Sequence, residues 1–193
     1  MEKPNDNTSE DKVFQGQDFS LKDLSDCTFT HCQFNNCNFS ECIIRNAKFI
    51  SCTFKACNLS LLKMEGCRWQ ESTFIECKLV GAEFFKCESK FFTIQVKQCF
   101  LQFCNFSGLP LKKTSFNGSK IIECYFTQVN LTECDFRDTD LSGSVFHESE
   151  LSKADFRGAR NYDIDVRNNK VKKAKFSFPE AIALLRNFEI EID

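Results

Sequence analysis

The hydrophobic and polar positions of residues 27–54 follow a five-residue repeat. A large apolar residue stands at every fifth position: Phe29, Phe34, Phe39, Ile44, Phe49 and Phe54. A small residue precedes each of them by two positions: Cys27, Cys32, Cys37, Cys42, Ala47 and Cys52. Because a helix face repeats every three or four residues and a half-buried strand every two, this period matches neither. It predicts a chain that turns a corner every five residues, with one large and one small side chain pointing inward on each side.

Four such sides close a square coil of about twenty residues, and stacked coils pair their backbone groups at strand spacing. The large position is filled without exception from Phe14 to Phe84. Residues twenty apart should therefore lie above one another, as a column of Phe14, Phe34, Phe54 and Phe74 does. The repeat predicts a single all-β solenoid domain of about eight coils over residues 13–176. The polar residues 1–12 have no periodicity and are expected to form a disordered leader.

The repeat breaks once, because Phe84 and the next fitting residue, Phe91, are seven positions apart instead of five. Two extra residues are therefore placed within 85–90, as a bulge at a corner or, alternatively, as a functional loop. The candidate residues of this loop are Phe85, Lys86, Glu88, Lys90 and Phe92. The pattern weakens again at Asn161, which predicts a looser last coil.

The tail, residues 177–193, changes period. Pro179 and Glu180 suit the first turn of a helix, apolar residues at helical spacing follow, and residues 189–193 alternate like a strand. Because a solenoid needs its open end covered, the tail either caps its own coil or pairs with the tail of a second copy. The second alternative is preferred and predicts a homodimer. The expected interface residues are Phe178, Ile182, Leu185, Phe188, Ile190 and Ile192.

The 13 cysteines all fall on the small inward position, where a free thiol acts as a small hydrophobe. Core filling is therefore favoured over zinc binding, and no metal or cofactor is predicted. Both histidines, His31 and His147, fall on outward positions without a neighbouring nucleophile, so no catalytic residues and no enzyme activity are predicted. No apolar run reaches the length of a membrane helix, and so many free thiols suit a reducing cytoplasm.

Charge is unevenly distributed although the net charge is only −2. Residues 86–120 contain six lysines and one glutamate, whereas residues 121–156 contain eight acids and two basic residues. The acids form either a solvated face or a surface that imitates DNA phosphates and attracts a basic nucleic-acid-binding groove. The predicted partner-binding residues are Glu133, Asp135, Asp138, Asp140, Glu148, Glu150 and Asp155.

Units such as Cys37-Asn38-Phe39-Ser40-Glu41 and Ala154-Asp155-Phe156-Arg157-Gly158 resemble the pentapeptide-repeat family. That resemblance implies a right-handed quadrilateral parallel β-helix. The tail is also similar to that of Qnr-like quinolone-resistance proteins, which dimerise through such C-terminal ends. This similarity implies that the partner is DNA gyrase or topoisomerase IV and that the protein protects this enzyme from quinolones or related toxins. It implies no direct contact with nucleic acid or membrane.

Two other functions stay open at this point. One is a scaffold or signalling rod that docks a different protein, for which an outward aromatic patch at Phe85 and Phe92 would be the discriminating feature. The other is a regulatory protein without a constitutive partner. The resemblance to Qnr-like proteins is partial, since the only insertion in this repeat is two residues long.

Overall fold

The computed structural model describes residues 7–188 and residue 190. Within them the chain forms a β-solenoid whose paired strands are all parallel. The strands are β1 (Thr8–Glu10), β2 (Val13–Gln15), β3 (Thr28–Thr30), β4 (Gln33–Asn35), β5 (Lys48–Ile50), β6 (Thr53–Lys55), β7 (Arg68–Gln70), β8 (Ser72–Ile75), β9 (Lys78–Val80), β10 (Ile94–Lys97), β11 (Phe100–Gln102), β12 (Lys120–Ile122), β13 (Tyr125–Thr127) and β14 (Val145–His147). Short 3₁₀ helices span Phe84–Lys86, Ser89–Phe91 and Glu180–Phe188.

The strand pairing confirms the square coil. Four stacks of strands run along the rod, in the orders β1-β3-β5-β7, β2-β4-β6-β8-β10, β9-β11-β12 and β13-β14. Phe14 pairs with Phe34, and Phe34 pairs with Phe54, so one coil takes twenty residues. Isolated bridges continue the same sides where no full strand forms, for example from Ser115 to Asp135.

The interior is filled by columns of aromatic rings. Within a column the rings stack, as between Phe34 and Phe54, whose centroids lie 4.7 Å apart at an interplanar angle of 10°. Between neighbouring columns they meet edge to face, as Phe34 and Phe39 do at 5.3 Å and 76°. Both geometries suit the quadrupole of the ring. The predicted column continues to the far end of the rod, where Phe156 stacks on Phe176 at 5.1 Å.

The corners are made by residues with a left-handed backbone conformation, two positions after the large residue. Asp26, Asn46 and Gly66 occupy equivalent corners of successive coils, with φ of 62°, 53° and 68°. At Gly66 a Cβ would lie only 2.3 Å from Asn46 Oδ1. Asp26 and Asn46 show that other residues adopt this φ, so the glycine matters here for space: a side chain at Gly66 would require Asn46 to move.

All 13 cysteines are free and buried, as predicted. Their thiols are also part of the hydrogen-bond pattern between coils: Cys57 Sγ donates to the carbonyl of Phe34 in the preceding coil at 3.2 Å. Ser149 takes the same role at an equivalent position, donating to the carbonyl of Phe126 at 2.7 Å. The small position thus selects a small side chain that can also hydrogen bond to the backbone.

The solenoid begins earlier than expected. Residues 1–12 were predicted to be disordered, but β1 lies in that range and pairs with β3, with Ser9 opposite Phe29. Ser9 is buried at a position where the repeat calls for a large apolar residue. The expectation for residues 1–6 falls outside the described part of the chain.

The two extra residues lie between Glu88 and Ile94, a stretch that overlaps the predicted range 85–90 and extends beyond it. The N–H of Glu88 donates to the carbonyl of Cys67, so the twenty-residue register between coils is still kept there. Ile94 pairs with Ser72, so the spacing at that point has become twenty-two residues. The assignment of Phe92 to the outside is wrong: it is only 3% exposed and meets Phe84 edge to face at 5.8 Å. Phe91 was expected inside and instead lies on the surface, with its ring 4.2 Å from the Arg68 guanidinium. The turn Ser89–Phe91 causes this exchange by carrying the chain one residue further before it re-enters the core.

The last coil is irregular, as the weakened pattern at Asn161 predicts. Asp140 pairs with Arg160, but Val145 pairs with Asp163, only eighteen residues later, and twenty-residue spacing returns at Lys170. Asn161 makes the corner with a φ of 58°. Tyr162 and Ile164 fill the interior of the shortened coil.

The tail forms the expected helix, of 3₁₀ type, over Glu180–Phe188. Ala183 and Leu184 pack against the core from one face of this helix. The predicted terminal strand falls on residues 189–193, which lie outside the described residues except for Ile190.

Replacing a ring in the middle of a column should destabilise the whole solenoid. Phe54 is fully buried between Phe34 and Phe74, so Phe54→Ala is expected to lower the free energy of unfolding by about 3–5 kcal/mol. Phe14→Ala, at the half-buried end of the same column, is the matched control and should cost less. Guanidinium denaturation followed by circular dichroism measures both, and equal losses would contradict a continuously stacked core.

Buried thiols should make the protein less stable at alkaline pH. Burial raises the pKa of Cys42, Cys52 and Cys134 from 9.0 to about 12. The unfolded chain therefore releases these protons first, so the stabilisation is complete below pH 9 and is lost as the pH rises toward 12. Each such thiol contributes about 1.4 kcal/mol per pH unit in that window.

Denaturation in reducing buffer at pH 8 and pH 10.5 tests this dependence. Cys52→Ser is the control, because Ser72 already occupies the equivalent position of the next coil and donates to the carbonyl of Phe49 at 3.0 Å. The variant should lose part of the alkaline destabilisation. An unchanged difference between the two pH values would show that the thiol ionises equally in both states.

Candidate protein-interaction faces

The aspartates of the predicted acidic face are first of all turn residues. Asp135 and Asp155 lie just before an inward phenylalanine, and Oδ1 of each accepts a hydrogen bond from the backbone N–H two residues later, at 3.1 and 3.2 Å. Asn38 and Asn58 make the same contact in the N-terminal half, at 3.1 and 3.2 Å. Part of the acidic composition is therefore explained by local folding, since Asp and Asn both cap such turns.

The coil brings the acids together across sequence. Asp135 and Asp155 are bridged neighbours on the side that continues β10, and Asp140 lies on the next side, beside Arg160. Glu133 and Asp138 lie at corners on either side of Asp135, both with a left-handed backbone. The seven predicted residues thus cover more than one side of the rod.

Most of these acids are paired with cations. Arg137 binds Asp135 through two hydrogen bonds of 2.8 Å, and Arg157 binds Asp155 with a shortest contact of 2.6 Å. Glu133 lies 3.5 Å from Lys153 Nζ and 3.8 Å from Lys113 Nζ. The remaining ion pairs are Asp140 with Arg160 and Glu150 with Lys170. Glu148 lies 3.5 Å from His147, which is charged only when protonated.

These contacts also change the titration of the carboxylates. The hydrogen bond from Arg137 lowers the pKa of Asp135, and that from Arg157 lowers the pKa of Asp155. Four of the cations, Lys113, Arg157, Arg160 and Lys170, come from outside residues 121–156. The charge imbalance counted along that block is therefore much smaller on the folded surface.

The side with the insertion is attached to the body of the rod. Glu88 forms a two-pronged ion pair with Arg68, at 2.8 and 3.0 Å, and Lys86 Nζ lies 2.6 Å from Glu83. Lys90 lies 5.3 Å from the centre of the Phe91 ring. The bulge reading is therefore favoured over a projecting loop, and Phe85 alone of the two proposed aromatic residues is outward, at 43% exposure.

The structure also has an exposed apolar surface that the sequence analysis missed. Leu61, Phe103 and Tyr125 are about half exposed. Val80 and Ile122 point outward on either side of Gln102, and their carbonyls accept hydrogen bonds from the backbone N–H groups of Leu61 and Phe103. We call these five apolar residues the corner patch. The five-residue frame contains the signal, because each of the five falls on an outward position where most coils have polar residues.

The tail presents its other face to solvent. Phe178 is 84% exposed, and Ile182, Leu185, Phe188 and Ile190 are also exposed. Ile192 lies outside the described residues. The tail helix therefore covers the core with one face and leaves an apolar face uncovered.

A cavity of about 300 Å³ lies beside the tail helix. It is lined by Asn161, Tyr162, Pro179, Glu180, Ile182, Ala183 and Arg186. No cluster of His, Cys, Asp or Glu within the described part could hold a metal ion. None of its helices has the length and apolar character needed to cross a membrane.

Comparison with known proteins agrees with this architecture. The family model for pentapeptide repeats matches residues 23–60 and 124–160, with eight copies. No curated protein sequence matches significantly. The matched residues are therefore pentapeptide repeats, and the solenoid has the fold of that family.

Among solved structures, a trypsin-treated variant of QnrB1, a plasmid-mediated fluoroquinolone resistance protein, aligns with a TM-score of 0.74 at 20% identity, covering 96% of this chain and 90% of that chain. A second trypsin-treated variant gives a TM-score of 0.64 at 21% identity, covering 100% and 95%. HetL, a pentapeptide-repeat protein involved in heterocyst differentiation regulation from a Nostoc cyanobacterium, gives 0.40 at 14% identity, covering 89% and 87%.

Proposed function

We propose that the protein is a non-enzymatic binding rod that engages a type II topoisomerase, DNA gyrase or topoisomerase IV, and protects it from quinolones or similar toxins. The observation that carries the proposal is the likeness to QnrB1 along almost the full length of both chains. Free buried thiols in this number suit the reducing cytoplasm, where these enzymes work.

The proposed contact surface is centred on Asp135 and Asp155. Their carboxylates are adjacent on one flat side, which resembles a row of phosphates, but each is held by an arginine. A basic groove would have to compete with Arg137 and Arg157 for them. Because of this competition, we expect the affinity of the rod for such a groove to be moderate. We also expect it to fall as the salt concentration rises, because exposed ion pairs contribute little and are screened by salt.

Two sets of substitutions on this side should act in opposite directions. Asp135→Asn with Asp155→Asn keeps the side-chain oxygen that caps each turn, as Asn38 does, and removes the negative charge. It should weaken binding about 2–10-fold, whereas Arg137→Gln with Arg157→Gln should strengthen it by exposing the carboxylates. Binding to purified gyrase and the inhibition or quinolone protection of supercoiling, titrated with ciprofloxacin, measure both effects.

Asp18→Asn is the matched control, since Asp18 Oδ1 accepts the equivalent bond from Ser20 N at 2.9 Å in the first coil. It should leave binding unchanged. The proposal fails if the unmodified protein neither binds gyrase nor changes supercoiling at micromolar concentration. If it binds and the two pairs of variants behave alike, this side is not the contact surface.

We also propose that the rod dimerises through its tail. The uncovered apolar face of the tail helix supports this arrangement, because a second copy of the same face would remove Ile182 and Leu185 from water. The interface would further include Phe178, Phe188 and Ile190, and Ile192 from the part not described.

Changing Ile182 and Leu185 together to Ser should convert a dimer into a monomer. Sedimentation velocity across a concentration series measures the change, and Leu21→Ser, another exposed leucine at the opposite end, should leave the dimer intact. A wild-type protein that sediments as a monomer at every concentration would exclude dimerisation through the tail.

A further inference from the structure

Two of three successive corners on one edge of the rod carry exposed apolar side chains. Leu61, Gly81 and Phe103 are the corner residues of consecutive coils, with φ of 57°, 67° and 54°. Each donates its backbone N–H to the next coil: Leu61 to Val80, Gly81 to Gln102 and Phe103 to Ile122, at 2.8, 2.8 and 3.1 Å. Because Gly81 has no side chain, Leu61 reaches over this corner, which lies between Leu61 and Phe103: a Cβ at Gly81 would lie 3.0 Å from Leu61 Cδ2.

The residue types at these corners are unusual for their conformation. A left-handed backbone favours Gly, Asn and Asp, and bulky side chains adopt it rarely. Leu61 and Phe103 adopt it while remaining 53% and 50% exposed. Neither residue type helps the turn, and neither is buried, so the fold itself does not explain them.

The patch continues onto a flat sheet face with unpaired positive charge. Phe100 on β11 lies between Lys78 on β9 and Lys120 on β12. Neither lysine makes an ion pair with any described residue, unlike the acids of the neighbouring coils. Glu123, the corner residue after Phe103, leans toward the following coil, because a Cβ on Gly143 would lie 3.0 Å from its Cγ.

We infer that the corner patch binds a short acidic and apolar segment of a partner protein. Apolar side chains of the segment pack on Leu61, Phe103, Ile122 and Tyr125. Its carboxylates pair with Lys78 and Lys120. This site uses a different part of the surface from Asp135 and Asp155, so it extends the proposed function without depending on it.

A protein segment fits these residues better than a nucleic acid does. Aromatic rings and lysines on a sheet can also bind single strands by stacking and charge. Here, however, the chain carries a net charge of −2, and Leu61, Val80 and Ile122 of the patch are aliphatic and offer no stacking surface. The lysines are only two, which favours local pairing with carboxylates over tracking of a phosphate backbone.

Selection from random twelve-residue peptides displayed on phage, with the full-length protein as bait, tests the inference. Peptides rich in Leu, Ile or Phe together with Asp or Glu should be enriched. Enrichment and the affinity of the corresponding synthetic peptides, measured by fluorescence anisotropy, should fall at least about tenfold for Leu61→Asn with Phe103→Asn. Asn tolerates the left-handed corner, so this variant should melt no lower than the wild type.

Two further variants sharpen the result. Lys78→Glu with Lys120→Glu should shift the selected peptides from acidic to basic residues. Leu21→Asn is the matched control, because Leu21 occupies the equivalent corner of the first coil with a φ of 58° and is also exposed, and it should change nothing. A labelled oligonucleotide of twenty deoxythymidines is the probe for the nucleic-acid alternative.

The inference is overturned if no peptide family is enriched, if the enriched peptides bind Leu61→Asn with Phe103→Asn as well as the wild type, or if they are basic. It is also overturned if the oligonucleotide binds and that binding is lost in the same variant. Since the variant leaves Asp135 and Asp155 untouched, gyrase binding should be unchanged, which separates the failure of this site from failure of the proposed function.

Discussion

The structure depends on the filling of a narrow square tube, in which every five-residue side must supply one large and one small inward side chain. The tube is too narrow for an ordinary core in which distant elements meet. Each ring therefore packs only on rings one coil away and on those of the adjacent sides, as the contacts of Phe34 with Phe54 and Phe39 illustrate. Ordering costs about 1–2 kcal/mol per residue, so stability has to accumulate along the whole stack.

This constraint explains why the sequence predicts the interior so well. Volume alone identifies the columns, and the positions of the cysteines follow from the same frame. The sequence-based prediction fails where side-chain volume does not distinguish between two candidate residues. Phe91 and Phe92 are the same residue type and adjacent, so a five-residue period cannot tell which one enters the core after an insertion. The inward position of Ser9 could not be identified from the sequence, because a small hydroxyl side chain takes the place of a ring in the first coil.

The outward positions are less predictable, since they obey two sets of rules at once. An aspartate before the inward phenylalanine can cap its turn, carry charge toward a partner, or do both, and the sequence does not separate these roles. Its cation can also come from the next coil, twenty residues away: Asp140 and Arg160 are far apart in the chain and 3.3 Å apart in space. A charge count along the chain therefore overstated the negative charge of this face.

The left-handed corners give a physical criterion for separating folding from function on such a surface. A polar corner residue such as Asn46 satisfies the backbone geometry and needs no further explanation. A bulky apolar residue there costs about 1–2 kcal/mol in backbone energy and, when exposed, recovers little of it by burial. The corners at Leu21, Leu61 and Phe103 meet both conditions, and of these Leu61 and Phe103 lie two coils apart on one edge, beside the outward residues Val80 and Ile122. The charged corners at Glu133 and Asp138 do not expose apolar surface. The same backbone requirement that shapes the rod thus marks the corner patch as the part of its surface that folding leaves unexplained.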